Sequence, residues 1–115
     1  MTLRFDEPSI LRIAMDVWCA IRTYPKHATE LGNPIPDEPV FFLKPSSSVV
    51  EFGEIDACGG DVHHEIELVL KLGEGLNPTH MALGLDLTKR SIQDMLKEKR
   101  LPWAEAKAFT GAAVL

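Results

Sequence analysis

VHHEIELVLKLG, residues 62–73, decides how this chain folds. Strand side chains alternate faces with a period of two. Read as a strand, the segment puts His64, Ile66, Leu68, Leu70 and Leu72 on one face, a nearly continuous core surface. The other face carries His63, Glu65, Glu67, Val69 and Lys71. Two neighbouring carboxylates repel, and where they are partly buried each raises the other's pKa and weakens the fold. Two readings account for the pair. A half-solvated strand turns its acids to water, which is ordinary for a sheet with one wet face. A hard divalent cation would instead bridge the two and turn the repulsion into a ligand set.

The bulk numbers fit one globular domain with a real core. The chain has 115 residues, of which 45% are hydrophobic and 25% charged, with a net charge of -5. That mild acidity gives no reason to expect a nucleic-acid partner. No apolar run approaches a membrane span, so no membrane partner is expected. Cys19 and Cys58 have neither CxxC nor zinc-finger spacing and read as buried, reduced thiols of an intracellular protein. Asp6, Glu7 and Asp16 argue against a secretory leader. The expected location is the cytoplasm or an organelle matrix.

Outward from the opening segment, the elements alternate in type. Residues 8–16 predict a short amphipathic helix with Ile10, Leu11, Ala14 and Met15 facing inward. VWCAIRTY (17–24) predicts a buried strand. Pro25 and Gly32 bracket a short helix over 25–31, and Pro34, Pro36 and Pro39 leave an extended connection. Residues 40–45 predict a strand, 46–54 a loop with a short strand inside it, and 73–80 a turn. MALGLDL (81–87) reads as a strand. Residues 88–100 predict the clearest helix, with Ile92, Met95 and Leu96 on one side. The expected class is α+β, mixed but mainly β, with two or three short helices.

Several polar residues stand at spacings that favour chemistry. His27 and Glu30 are three apart on the short helix, where a carboxylate orients an imidazole and raises its basicity. Asp86, Arg90 and Gln93 project together if the helical turn begins near Asp86. In the plain reading Asp86 caps the helix and Arg90 is its salt-bridge partner. In the other, Asp86 is a third oxygen ligand, and Arg90 and Gln93 offer donors to a nearby anion. Lys107 is either a surface lysine or a further cation aimed at the same place. Three carboxylates suit Mg²⁺ or Mn²⁺ better than zinc.

Three blocks in register carry a resemblance: CAIRTYPKHATELGNPIPDEPVFFLKPSSSVV (19–50), VHHEIELVLKLG (62–73) and LGLDLTKRSIQDMLKEKRLPWAEAKAF (83–109). From about residue 18 onward the chain resembles the fumarylacetoacetate hydrolase family, in its acylpyruvate hydrolase and oxaloacetate decarboxylase or tautomerase branch. The resemblance implies that Glu65, Glu67 and Asp86 bind Mg²⁺ or Mn²⁺. It places a catalytic dyad on His27 and Glu30, on a lid-like helix. It also implies oxyanion donors at Arg90, Gln93 and Lys107. The activity implied is metal-dependent cleavage of a C–C bond in a small 2-oxo acid, by acylpyruvate hydrolysis or oxaloacetate decarboxylation, or tautomerisation of oxaloacetate. The compartment implied is cytoplasmic or mitochondrial matrix.

Three features depart from the family pattern. Ile21, Arg22, Thr23 and Tyr24 stand where the family has Gly-Arg-Asn-Tyr, so a β-branched residue replaces a flexible glycine at the lid edge. The link between Gly73 and Asp86 is shorter by about one small helix. The family domain also continues past GAAVL for roughly as much sequence again. The expectation is therefore a single, partial domain over 1–115, with a divergent segment at 1–17. Such a chain would form a homodimer, or a heterodimer with a longer homologue. A weak or inactive truncated paralogue that acts by association is the alternative to an enzyme, and a product without a stable fold is a third.

Overall fold

The computed structural model describes residues 15–22, 32, 37–53 and 61–115. The helix expected over 25–31, with His27 and Glu30, lies outside the described residues, as do Cys58 and most of the helix expected over 8–16. Met15 and Asp16, at the end of that helix, are irregular.

The opening segment is a strand with the expected bounds. β1 spans Val17–Ala20, β2 Phe41–Lys44, β3 Val49–Val50, β4 Val62–Leu72 and β5 Pro78–Lys89. β4 and β5 form a long antiparallel ribbon that sets Glu65 opposite Asp86 and Glu67 opposite Gly84. Gly75 takes φ 65° in the connecting 3-10 turn, a left-handed conformation that glycine adopts without a Cβ clash. The Gly73 amide donates to the Asn77 carbonyl at 2.8 Å and closes the loop. β5 outruns the strand expected over 81–87 at both ends, because the ladder with β4 continues to Pro78 and Lys89.

Helix α1, Arg90–Glu98, follows β5 without a linker and is shorter than the helix expected over 88–100. Asp86 does not cap it, since it lies within β5. Asp61 meets the helix start instead. Its carbonyl accepts from the Arg90 amide at 3.2 Å, and its Oδ2 accepts from the Ser91 amide at 3.2 Å. That carboxylate is also well placed against the positive end of the helix dipole.

Two elements were not expected: helix α2, Ala104–Lys107, and strand β6, Ala113–Val114. β6 enters the sheet between β3 and β5, parallel to the first and antiparallel to the second, giving the order β3-β6-β5-β4. β1 and β2 pair antiparallel as a separate two-stranded sheet. The architecture is mainly β with two short helices. Its buried apolar residues, Leu87, Leu96, Ala106, Ala112, Ala113, Val114 and Leu115, gather where the last segment packs against the inner end of β5.

The ribbon is inverted relative to the expectation. Ile66, Leu68, Leu70 and Leu72, read as core, are exposed, with Ile66 at 65%. Met81 and Leu83 on β5 continue that exposed apolar face. Glu65 and Glu67 turn inward instead. Period-two alternation says which side chains share a face, not which face is covered. Here Glu65 lies inward where Arg90 and Lys107 meet it.

Candidate metal centre

β4 and β5 bring three carboxylates together. Glu65 and Glu67 lie two apart on one face of β4, and Asp86 lies across the ladder from Glu65. One ligand oxygen from each falls within 4.8 Å of the others. Asp86 is 8% exposed, and its Oδ1 is buried without a hydrogen-bond donor among the described residues.

The cations around this triad come from three other elements. Lys107, on α2, donates from Nζ to Asp86 Oδ2 at 2.8 Å, Thr88 Oγ1 at 2.6 Å and Glu65 Oε2 at 3.3 Å. Arg90, at the start of α1, pairs through Nη2 with Glu65 Oε1 and donates from Nη1 to Gln93 Oε1 at 2.9 Å. Glu65, rather than Asp86, is thus the salt-bridge partner of Arg90. Lys44, on β2, is 1% exposed and its Nζ lies 2.7 Å from Asp86 Oδ1. That contact is an ion pair without hydrogen-bond geometry. An ammonium has three protons, and those of Lys44 point to the carbonyls of Leu87 at 3.2 Å, Lys107 at 2.6 Å and Ala112 at 2.9 Å. Asp86 Oδ1 is thus left with an ion-pair contact and no hydrogen-bond donor among the described residues.

These contacts reverse the pKa shift expected of Glu65 beside other acids. Burial pushes Glu65 up, but the charges of Lys107 and Arg90 and their hydrogen bonds win and hold it down at about 2. Burial lowers the Lys44 ammonium from its usual value, with Asp86 opposing that shift. Cys19, on the face of β1 that pairs with Phe42, is half-buried and reduced, and burial followed by the Asp86 charge pushes its thiol up to about 11. Phe42 lies beneath Lys107, with Nζ 5.1 Å from the ring centroid, and its ring is 6.0 Å from that of Trp103.

Of the residues singled out in the sequence, Glu65, Glu67, Asp86, Arg90, Gln93 and Lys107 meet here. His27 and Glu30 lie outside the described residues. Sequence reasoning missed Lys44, Thr88 and Phe42. Lys44 had a signal, as the lone charge in the apolar run VFFLKP. Hard carboxylate oxygens, one of them buried without a hydrogen-bond donor among the described residues, suit an oxygen-loving divalent cation, and the lysine and arginine heads suit an anion beside it.

Among the described residues no helix is long and apolar enough to cross a membrane. A family model described as fumarylacetoacetate (FAA) hydrolase C-terminal matches residues 16–115. The chain is 40% identical over 102 residues to a mitochondrial oxaloacetate decarboxylase of Dictyostelium discoideum, covering 76% of this chain and 47% of that protein. It is 35% identical over 112 residues to an oxaloacetate tautomerase of Escherichia coli, covering 86% and 51%. Among solved structures it resembles fumarylpyruvate hydrolase from Pseudomonas aeruginosa in complex with Mn²⁺ and pyruvate. That match has a TM-score of 0.77 at 34% identity, over 87% of this chain and 51% of the other. The chain spans about half the length of these relatives. With the family model aligned over all but the first fifteen residues, this chain belongs to the fumarylacetoacetate hydrolase family.

Proposed function

We propose that this chain forms the metal-dependent site of a hydrolase or lyase acting on small 2-oxo acids. The reactions are acylpyruvate hydrolysis, oxaloacetate decarboxylation or tautomerisation of oxaloacetate. One observation carries the reading: the buried, hydrogen-bond-free Oδ1 of Asp86, clustered with Glu65 and Glu67. The relatives named for oxaloacetate and fumarylpyruvate, and the Mn²⁺ and pyruvate of one of them, support it.

Glu65, Glu67 and Asp86 hold Mg²⁺ or Mn²⁺ in this reading. The bound ion supplies Lewis-acid polarisation of the 2-oxo carbonyl. The chain's own residues do the rest. Arg90 and Lys107 place positive charge where the substrate's oxygens gain negative charge, and Gln93 orients the Arg90 guanidinium. His27 and Glu30 would serve as the family's dyad, the imidazole taking the proton from water as it attacks the distal carbonyl in hydrolysis. Decarboxylation needs no such attack, so His27 matters less there.

The test is loss of acetylpyruvate and oxaloacetate absorbance with Mg²⁺ or Mn²⁺, then with EDTA. Glu67→Gln, purified identically, guards against a contaminating host enzyme. EDTA-sensitive turnover that falls about 100-fold or more in the variant supports the reading. Turnover equal in both sinks it.

A second reading has its own observation. The exposed face of Ile66, Leu68, Leu70, Leu72, Met81 and Leu83 is an unusually large apolar surface for a chain acting alone. It favours a paralogue that works by association with a second copy or with a longer relative. Co-purification with such a relative, with no turnover by the chain alone, would select it.

A further inference from the structure

Lys44 carries its charge into a place built of oxygen. Among the described residues its Nζ meets four oxygens: the carbonyls of Lys107 at 2.6 Å, Ala112 at 2.9 Å and Leu87 at 3.2 Å, and Asp86 Oδ1 at 2.7 Å. The side chain is 1% exposed. An ammonium offers three protons, and the carbonyls take them. Asp86 Oδ1 therefore meets the charge of the head and not one of its protons. Four oxygens around three protons make a shell for a charge. Backbone carbonyls replace the water around a bare potassium ion in the same way in ion-selective filters. The shell is drawn from separate parts of the chain. β5 gives Asp86 and Leu87, α2 ends on Lys107, and Ala112 stands just before β6.

We infer that these four oxygens form a monovalent-cation site, which Lys44 fills from within the chain. With position 44 cut back to a short side chain, a free ion of similar size, potassium or ammonium, takes the place of the head. A divalent ion is a poor substitute, because its second charge would be left uncompensated in a buried place. Lithium is too small to touch all four oxygens at these distances, and tetramethylammonium is too large to enter. The tethered head frees the chain from dependence on dissolved potassium. It also ties Asp86 to the backbone of Lys107, whose own ammonium donates to Asp86 Oδ2 at 2.8 Å. No part of this needs a bound divalent metal, so it stands or falls apart from the proposed function.

Thermal melts of the full chain and of Lys44→Ala test the site, followed by circular dichroism in the chlorides of potassium, ammonium, lithium and tetramethylammonium. Ionic strength is held equal, and each variant is compared with the unaltered chain in the same salt. The unaltered chain should gain nothing from potassium over lithium, because its site is already filled. Lys44→Ala should melt lower in lithium and tetramethylammonium, and regain about half or more of the lost melting temperature in potassium or ammonium. Lys44→Met keeps the bulk of the stem in the way of an ion and should show no such recovery. A Lys44→Ala chain that responds alike to all four salts, whether weakened, unharmed or unfolded, overturns the site. Equal recovery in Lys44→Met would put the ion elsewhere and overturn it too. So would a gain from potassium in the unaltered chain as large as that in Lys44→Ala.

Discussion

Lys44 Nζ stands 2.7 Å from Asp86 Oδ1 while its protons bind the carbonyls of Leu87, Lys107 and Ala112. One side chain of β2 thereby joins β5, the end of α2 and the residue before β6. It compensates the charge of Asp86 through an ion pair while its hydrogen bonds go to the three carbonyls. Fold and site share this residue. The elements that bury the core are held in place by the same ammonium that faces the carboxylate.

Lys44→Met should destabilise the chain by about 3–5 kcal/mol, because three buried carbonyls lose a donor and Asp86 loses a buried counter-charge. Urea unfolding followed by circular dichroism measures the loss. In the Lys44→Met/Asp86→Asn double variant the loss should be smaller than the sum of the single losses, since the two residues interact directly. Strict additivity would mean that their contact contributes nothing.

Glu65 should give the fold an acid limit. Burial acts to raise its pKa, yet Lys107 and Arg90 hold it at about 2 in the folded chain, below the ordinary value of 4.5. A depressed carboxylate contributes stability that is complete above its unfolded pKa and is lost as pH falls through its folded pKa. The window is therefore about pH 4.5 down to about 2. Thermal melts taken from pH 6 to pH 3 should fall most steeply below pH 4.5. Glu65→Gln should begin lower and show a shallower slope. An equal slope in the variant would assign the acid sensitivity to other groups.

Cys19 should be a poor nucleophile despite lying near charged groups. Burial and the Asp86 carboxylate push its thiol up to about 11, from a usual value of 9.0. At pH 8 this leaves on the order of 100-fold less thiolate than an unperturbed cysteine would have. Alkylation by iodoacetamide, followed by mass spectrometry at the peptide containing Cys19, should be slower by a similar factor than in the urea-unfolded chain. Equal rates would mean that the thiol is not held in this environment.

The sequence revealed β4 well because alternation over eleven residues is a strong local signal. It misassigned the two faces because the cover of a sheet is a tertiary property. Ile66 and Leu68 look like core in any local window, yet they are exposed here. Asp86 was legible as a ligand candidate and as a residue of the strand expected over 81–87, but what it faces was not legible. Its cross-ladder position opposite Glu65 depends on the register of the whole ribbon. α2 and β6 escaped because four and two residues carry too little pattern. β6 exists only because β3 and β5 flank it on both sides. Lys44 escaped for a related reason. The three backbone carbonyls that bind it are 43 to 68 residues away in sequence, and no side-chain motif encodes them.

Gly84 should tolerate no side chain, and its substitution should reach the site. A Cβ there would lie 2.7 Å from Val69 Cγ2, 3.0 Å from Leu115 Cδ2 and 3.0 Å from the Val114 carbonyl. The valine methyl can rotate away, but the carbonyl belongs to β6, which pairs with β5 next to Asp86. Relief of the clash must therefore move β6 or β5. Gly84→Ala is expected to cost about 1–3 kcal/mol, as overpacking does in a filled interior. Because Ala113 of β6 faces Asp86 across the ladder, the variant should also bind Mn²⁺ more weakly in equilibrium dialysis. Gly53→Ala is the control, since nothing among the described residues lies within 4 Å of its Cβ position, and its stability should stay within about 0.5 kcal/mol. If Gly84→Ala melts like the control and binds Mn²⁺ unchanged, the packing of β6 against β5 is looser than these distances describe. If it melts lower yet binds unchanged, the Asp86 carboxylate is held by Lys44 and Lys107 independently of the strand beside it.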